Sequence, residues 1–300
     1  MIAPVKSGDS ITIVAPGRRV RNYDVDVALQ YFARWGLKVK LGTNLFSDRH
    51  NYLSGTDDER LADMQQALDD PTCAAVVCAR GGYGTTRVVD RLDFTKFKAN
   101  PKWVVGFSDI TALHLRLLKE GMPSIHGTMP IMAAKPEAPA SFQSLHHALM
   151  GVPEELSAPY HPQNCEGSIE GTTIGGNLSL IVDALGTATE PDTAGKILVI
   201  EEIDEYYYKL DRMMVQLKRA GKLEPLGGLV VGYMTDIKDT EPRFNETVED
   251  IVRYHVRDYT FPVGFGFCIG HQNPNYAFVH NARMLLRVTA GQPSTLTPVS

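Results

Sequence analysis

The sequence is poor in the features that mark secreted, membrane-bound or nucleic-acid-binding proteins. It has four cysteines in 300 residues, too few for a disulfide framework in a chain of this length. A formal charge of −5 at pH 7, without runs of lysine and arginine, argues against a nucleic-acid partner. No apolar run approaches the roughly 18 residues needed to cross a bilayer, and the first residues lack the apolar core of a signal peptide. These absences predict a cytoplasmic protein that acts on a small partner and binds neither nucleic acid nor membrane.

The cysteines also give no indication of a metal site. Cys73 and Cys78 have a C-x4-C spacing, but they lie in a strand-like run without obvious histidine or cysteine companions. With Cys165 and Cys268 they are interpreted as buried thiols. We therefore expect no metal.

What the sequence does contain is an ordinary globular composition and a regular alternation of strand and helix patterns. Apolar residues make up 43% and charged residues 22%, which excludes a disordered or fibrous protein. In the first half, short apolar runs predict strands at 10–15, 37–41, 73–79 and 103–107. Helical spacing predicts helices at 24–35, 57–68 and 110–120. This alternation predicts an α/β fold with a mostly parallel sheet, whose reactive groups gather at the carboxyl ends of the strands.

The pattern weakens after residue 135, where prolines interrupt it. The segment 136–170, with one helix-like stretch at 141–150, is the predicted linker between domains 1–135 and 171–300. Beyond the linker, the patterns predict a helix from Asn177, strands at 196–200, 228–231 and 263–267, and helices at 210–220 and 244–255. The second domain is expected to be a smaller mixed α/β domain with more β content.

The most informative motif is Gly106-Phe107-Ser108-Asp109, where a predicted strand passes through a sharp turn into a helix. A serine on such a turn is held clear of the sheet, and the backbone N–H of Asp109 points to where an oxyanion would form. The motif lacks the second glycine of a complete nucleophile elbow. An ordinary helix with Ser108 or Asp109 as its N-cap therefore remains an alternative.

A nucleophilic serine needs a base and a group that orients the base. His271 follows a predicted strand and precedes residues that cannot continue regular structure, and Glu201 and Glu202 close the strand at 196–200. The order serine, glutamate, histidine is one known arrangement of such triads. The alternatives are a surface histidine and a glutamate that caps a helix or pairs with an arginine.

A glycine-rich turn at 80–84 offers a second oxyanion donor. The backbone N–H of Gly82 could serve, because glycine permits the unusual dihedral angles of such a turn. The turn lacks the spacing of known phosphate-binding loops, so a nucleotide role has little support.

In their order along the chain, these motifs resemble the LD-carboxypeptidases, the muramoyl-tetrapeptide carboxypeptidases that also include the microcin C self-immunity peptidase. The resemblance is carried by several segments: 52–60, 79–84, 101–113, 175–180, 200–202, 208–213 and 270–271. It covers most of the chain.

The resemblance implies a serine peptidase that removes the terminal D-alanine from murein tetrapeptides or related small peptides during cell-wall recycling. It implies a homodimer that needs no metal or other cofactor. A Rossmann-like N-terminal domain would carry the nucleophile, and the C-terminal domain would carry the acid and the base. The matching positions are Ser108 as nucleophile, His271 as general base, Glu201 as orienting acid, and Gly82 and Asp109 as backbone oxyanion donors.

The free carboxylate of such a substrate needs a cation, and Arg80 is the hypothesis because it lies beside the oxyanion glycines. A salt bridge that fixes the turn is its alternative role. The chain departs from the family at Gly17, where a serine is usual, and at 126–130, where His-Gly-Thr replaces His-Gly-Pro. Both positions are expected to shape the substrate pocket.

Two other functions stay open at this stage. One is a microcin-immunity-like hydrolase of aminoacyl or peptidyl nucleotides, which would need an aromatic ring to stack on the base. Trp35 and Trp103 both lie in predicted core elements, which disfavours the hypothesis of a nucleotide substrate. The other is a non-catalytic module that binds a peptide or a sugar.

Overall fold

The structure is a computed structural model that describes residues 2–152 and 154–299. The first part of the chain forms β1 Ser10–Val14, α1 Asp26–Arg34, β2 Lys38–Leu41, α2 Asp57–Asp69, β3 Cys73–Cys78, α3 Thr95–Ala99, β4 Trp103–Gly106, α4 Thr111–Lys119, β5 Ser124–His126 and α5 Ala138–Leu149. The rest forms β6 Leu156–Ala158, β7 Gly167–Asn177, α6 Leu178–Asp183, β8 Lys196–Ile203, α7 Tyr207–Arg219, β9 Gly228–Thr235, α8 Val248–Val256, β10 Val263–Phe265, β11 Phe278–His280, β12 Arg283–Val288 and β13 Ser294–Pro298. Short 3-10 turns lie at Asn22–Asp24, Thr85–Arg87, Val89–Arg91, Ser108–Ile110 and Pro130–Met132.

The chain divides into two compact units. The first contains the described residues up to 152 together with Asn273–His280, and the second contains Glu154–Gln272 together with the described residues from Asn281 onward. In the first unit the sheet order is β11-β5-β4-β3-β1-β2, and every neighbouring pair is parallel except β11 with β5. The five parallel strands therefore have the order 2-1-3-4-5 of a doubly wound sheet, with its switch point between β1 and β3.

Alternation along the strands gives this sheet two apolar faces. Val77 and Val105 are buried on the face covered by α1 and α5, whereas their neighbours Val76 and Val104 are buried on the face covered by α2, α3 and α4. The first unit is thus a three-layer α/β fold, as the alternating patterns predict.

The second unit has a seven-stranded sheet in the order β10-β9-β8-β7-β12-β13-β6. Strands β7 to β10 are mutually parallel, while β12, β13 and β6 add antiparallel pairs. The prediction of a mixed α/β second domain with more strands is confirmed.

The domain boundaries differ from the prediction. Residues 136–152 are not a linker, because α5 buries Phe142, Leu145 and Leu149 in the first unit. Pro139 misled the interpretation, since it lies in the first turn of α5, where proline is tolerated. The segment 154–170 belongs to the second unit and carries β6 and the start of β7.

Most predicted elements are present, with shifted ends. Residues 244–247 precede α8 instead of belonging to it, and β8 and β9 are longer than predicted. Cys73 and Cys78 are buried as expected, but Cys165 and Cys268 are partly exposed. In residues 2–152 and 154–299, no helix combines the length and the apolar character that a membrane crossing requires.

Candidate active site

Ser108 occupies a strained turn at the carboxyl end of β4. Its φ is +64°, a left-handed conformation that is uncommon for residues other than glycine. Gly106 permits the turn, because a Cβ there would lie 2.8 Å from Ile110 side-chain carbons. The turn then passes through a 3-10 segment into α4, and neither Phe107 nor Ile110, the N-cap residues, makes a side-chain capping hydrogen bond. The sharp strand-to-helix turn fits the geometry expected of a nucleophile elbow, and neither Ser108 nor Asp109 is the N-cap residue.

The side chain of Asp109 ties the elbow to the loop after β3. It is 2% exposed, and its Oδ2 accepts hydrogen bonds from Thr85 N at 3.0 Å and Thr85 Oγ1 at 2.7 Å. Burial raises the pKa of this carboxyl despite those hydrogen bonds. A Cβ on Gly17 would lie 2.7 Å from the same Oδ2, so a side chain at position 17 would crowd this carboxylate.

The glycine-rich turn after β3 borders Ser108. A Cβ on Gly81 would lie 3.1 Å from Asp109 N and 3.2 Å from Ser108 Cβ, so a side chain at position 81 would crowd the turn at Ser108. Gly82 has a φ of +103°, which glycine adopts without strain. The first unit therefore brings the predicted oxyanion donors to the same edge of the sheet as Ser108.

Arg80, the predicted carboxylate-binding residue, is half-buried at the start of this turn. Its Nη1 donates to Arg19 O at 3.1 Å, and within the described residues it forms no ion pair. Burial lowers the pKa of Arg80, and the charge of Arg18 lowers it further, although Asp24 acts in the opposite sense. The salt-bridge alternative for Arg80 is therefore not what the structure contains.

In the second unit, Glu201 and His271 form a close pair. His271 Nδ1 lies 2.6 Å from Glu201 Oε2; the glutamate side chain is fully buried and that of the histidine is 13% exposed. Gly270 allows the approach, because its φ is +122° and a Cβ there would lie 2.8 Å from Glu201 Oε2. A proton on Nδ1 would be donated to the carboxylate, which makes Nε2 the basic nitrogen of the ring.

The carboxylates raise the pKa of His271. Burial alone would lower this pKa, but the charge and hydrogen bond of Glu201, aided by the charge of Glu202, outweigh burial. An imidazolium at this position is thus stabilised, as a general base requires once it has taken a proton.

Glu202 points away from His271. Its Oε2 accepts from Ser179 N at 2.8 Å and Ser179 Oγ at 2.6 Å, and its Oε1 accepts from Asn177 Nδ2 at 2.8 Å. Successive side chains of a strand point to opposite faces, so only one of the two glutamates of β8 can meet the histidine. The structure brings Glu201 to His271 and leaves Glu202 at the N-terminus of α6.

Sequence reasoning missed two buried residues that shape the edge of the first sheet. One is Thr85; the other is Arg60, which is 2% exposed and donates to the carbonyls of Pro16 and Gly84. Arg60 joins the loops after β1 and β3. No periodicity marks it, because it lies in the first turn of α2 among charged residues.

The other predicted features lie in the interior of the first unit. Trp103 is 9% exposed, and Trp35 packs against Phe32 and Phe142, so both tryptophans lie in or against the core as predicted. His126 is fully buried and stacks on Phe278 with ring centroids 4.8 Å apart. Among the described residues, no group of three or more metal-ligating side chains could hold an ion.

Comparisons with known proteins agree with this organisation. Residues 11–127 match the LD-carboxypeptidase N-terminal domain, and residues 170–286 match the LD-carboxypeptidase C-terminal domain. The chain is 36% identical over 279 residues to a Bacillus subtilis protein named probable murein peptide carboxypeptidase, with 91% of this chain and 87% of that protein covered. The chain belongs to the LD-carboxypeptidase family, which confirms the prediction from its motifs.

Solved structures show the same fold. The muramoyltetrapeptide carboxypeptidase of Oxalobacter formigenes is similar with a TM-score of 0.88 and 27% identity, covering 97% of this chain and 99% of that one. The microcin C7 self immunity protein MccF has a TM-score of 0.86 at 19% identity, covering 100% of this chain and 98% of that one. At that identity the second likeness concerns the fold alone.

Proposed function

We propose that this protein is a cytoplasmic serine carboxypeptidase that cleaves the L,D-peptide bond before the terminal D-alanine of murein tetrapeptides, in cell-wall recycling. The observation that carries the proposal is the buried pair of Glu201 and His271, with 2.6 Å between Oε2 and Nδ1. The strained turn at Ser108 and the names of the similar carboxypeptidases add support.

In the acylation step, Ser108 Oγ attacks the carbonyl carbon of the scissile bond while His271 Nε2 takes the hydroxyl proton. The negative charge that develops on the carbonyl oxygen accepts hydrogen bonds from the N–H groups of Gly82 and Asp109. His271 then gives its proton to the amine of the leaving D-alanine, and the C–N bond breaks. The product is an ester between Ser108 and the shortened peptide.

In the deacylation step, His271 removes a proton from water, which attacks the ester carbonyl. The proton returns to Ser108 Oγ as the C–O bond breaks, and the shortened peptide leaves as a free acid. Glu201 stabilises the imidazolium in both steps by charge and by a hydrogen bond. No step needs a metal or another cofactor.

Arg80 is proposed to bind the terminal carboxylate of the substrate, since it begins the oxyanion turn and its guanidinium has no ion-pair partner among the described residues. We further propose that the enzyme is a homodimer, as the family resemblance implies.

The deciding experiment measures release of D-alanine from an L,D-linked murein tetrapeptide. We expect turnover by the wild type and a loss of at least about 10³-fold in Ser108→Ala, because the nucleophile is gone. Ser168→Ala, at an exposed serine of β7, is the matched control and should keep full activity.

A peptidyl nucleotide tested in parallel separates the alternatives. Turnover of the nucleotide conjugate alone would overturn the proposed substrate. Peptide binding without turnover of either compound would identify a binding module. Turnover that survives in Ser108→Ala would remove Ser108 from the mechanism.

A further inference from the structure

Two arginines lie in the loops that follow neighbouring parallel strands of the first unit. Arg18 follows β1 and Arg80 follows β3, and within the described residues neither forms an ion pair. Two other arginines near this edge, Arg60 and Arg87, do form ion pairs, both with Asp57. Arg19, Arg21 and Arg34 also lack ion pairs among the described residues, so it is their position in the fold that distinguishes Arg18 and Arg80 as cations that can receive an anion.

Both arginines lie at the switch point of the sheet. Arg18 N donates to Gly81 O at 3.2 Å, and Arg80 Nη1 donates to Arg19 O at 3.1 Å, so each loop is bonded to the other. In doubly wound sheets, ligands bind outside the carboxyl ends of the strands at this point. The topology therefore places these two charges where the fold is built to hold a ligand.

The stem of Arg18 runs along the turn that borders the nucleophile. A Cβ on Gly82 would lie 3.0 Å from Arg18 Cβ and 3.2 Å from its Cδ, while a Cβ on Gly81 would lie 3.2 Å from Ser108 Cβ. One side of the two-glycine turn thus faces Arg18 and the other faces Ser108. An anion held by Arg18 would therefore lie next to the turn that borders Ser108.

The guanidinium of Arg18 is held in place by an aromatic ring. Its Cζ lies 4.9 Å from the centre of the Tyr52 ring, and Tyr52 is 44% exposed. Stacking on a ring orients the planar fork of an arginine while leaving its N–H groups available at the edge. That fork matches a carboxylate, which accepts two parallel hydrogen bonds.

We propose that Arg18, together with Arg80, binds the free terminal carboxylate of the peptide and so makes the protein selective for peptides that end in a free acid. The inference rests on the proposed function for the nature of the ligand, a peptide acid. The role of Arg18 is recognition, and it takes no part in proton transfer.

The test compares a murein tetrapeptide with the same peptide ending in a carboxamide, which keeps the shape of the terminus and removes its charge. Binding of both peptides is measured by calorimetry in the Ser108→Ala protein, so that hydrolysis is not needed. We expect the acid to bind more tightly, and Arg18→Gln to weaken acid binding by about 10- to 100-fold, the usual loss for a hydrogen bond to a charged group. Binding of the carboxamide should change little, and Arg18→Lys should be intermediate.

Arg21→Gln is the matched control, because Arg21 is an exposed arginine that lies over Tyr23 with its Cζ 5.7 Å from the ring centre. It should leave the acid preference unchanged. Equal loss for both peptides, no loss for either, or no binding of either would overturn the inference. If the wild type turns the peptide over but Arg18→Gln keeps the preference for the acid, this inference alone is wrong. If the preference depends on Arg18 but the wild type shows no turnover, only the proposed function is wrong.

Discussion

The left-handed backbone at Ser108 predicts that removing the Cβ atom of this residue stabilises the protein. An L-residue in this region costs about 1–2 kcal/mol because its Cβ crowds the following carbonyl, whereas glycine avoids that cost. Glycine also destabilises the folded state by about 0.5–1 kcal/mol, because it gives the unfolded chain more conformational entropy. Ser108→Gly should therefore be more stable than Ser108→Ala by about 0.5–1 kcal/mol.

Comparing glycine with alanine isolates the Cβ, because both variants lack the hydroxyl. The measurement is urea unfolding followed by circular dichroism, with the melting temperature as a second readout. The same pair of substitutions at Ser168, an exposed residue in the extended strand β7, is the control. There the order should reverse, since glycine weakens a strand. If Ser108→Gly were no more stable than Ser108→Ala, the turn would not be strained in the way its φ of +64° indicates.

Two further predictions concern titration. Glu201→Gln should lower kcat by about 10³- to 10⁴-fold through loss of imidazolium stabilisation and of the correct tautomer. Because the Glu201 carboxylate raises the pKa of His271, Glu201→Gln should also shift the acid limb of the pH profile of kcat/KM to lower pH, and Glu202→Gln should shift it less. An acid limb that stays in place in Glu201→Gln would contradict the pairing. Burial lowers the pKa of His114 from 6.5 to about 4, so the folded state binds fewer protons than the unfolded state and stability falls as pH drops across that window. Unfolding free energies measured at several pH values should show that the protein loses about 3 kcal/mol of stability through this histidine, and His114→Gln should remove that loss. If the pH dependence of stability were the same in the variant, His114 would not be its source.

The first sheet could be predicted from the sequence because its strands are short apolar runs separated by amphipathic helices. A strand that is buried on both faces of its sheet consists of consecutive apolar residues, as Val76 and Val77 in β3 do. Strand β7 could not be found in the same way, since its eleven residues include four glycines and few apolar side chains. The segment 273–280 was assigned to the wrong domain, because the pairing of β11 with β5 joins residues about 150 positions apart and leaves no local pattern.

The candidate site could be predicted only as far as residue types and motif order allow. Their places after strands and the family motifs predict Ser108, Glu201 and His271 as site residues. The choice between Glu201 and Glu202 needs the register of β8, which alternation alone does not set. Arg18 was missed because its significance depends on two loops meeting, and neither loop shows this by itself.

The crossing of the chain between the two units has a consequence for synthesis on the ribosome. Strand β5 lies at the edge of the parallel part of the first sheet, and the strand that covers it, β11, ends at His280. A nascent chain can therefore form the first five strands early, but the edge at β5 stays open until residues 278–280 have been made. An open edge is a template for pairing with other chains. Fragments that stop before β11 should for that reason be prone to aggregate, however complete the first 152 residues look.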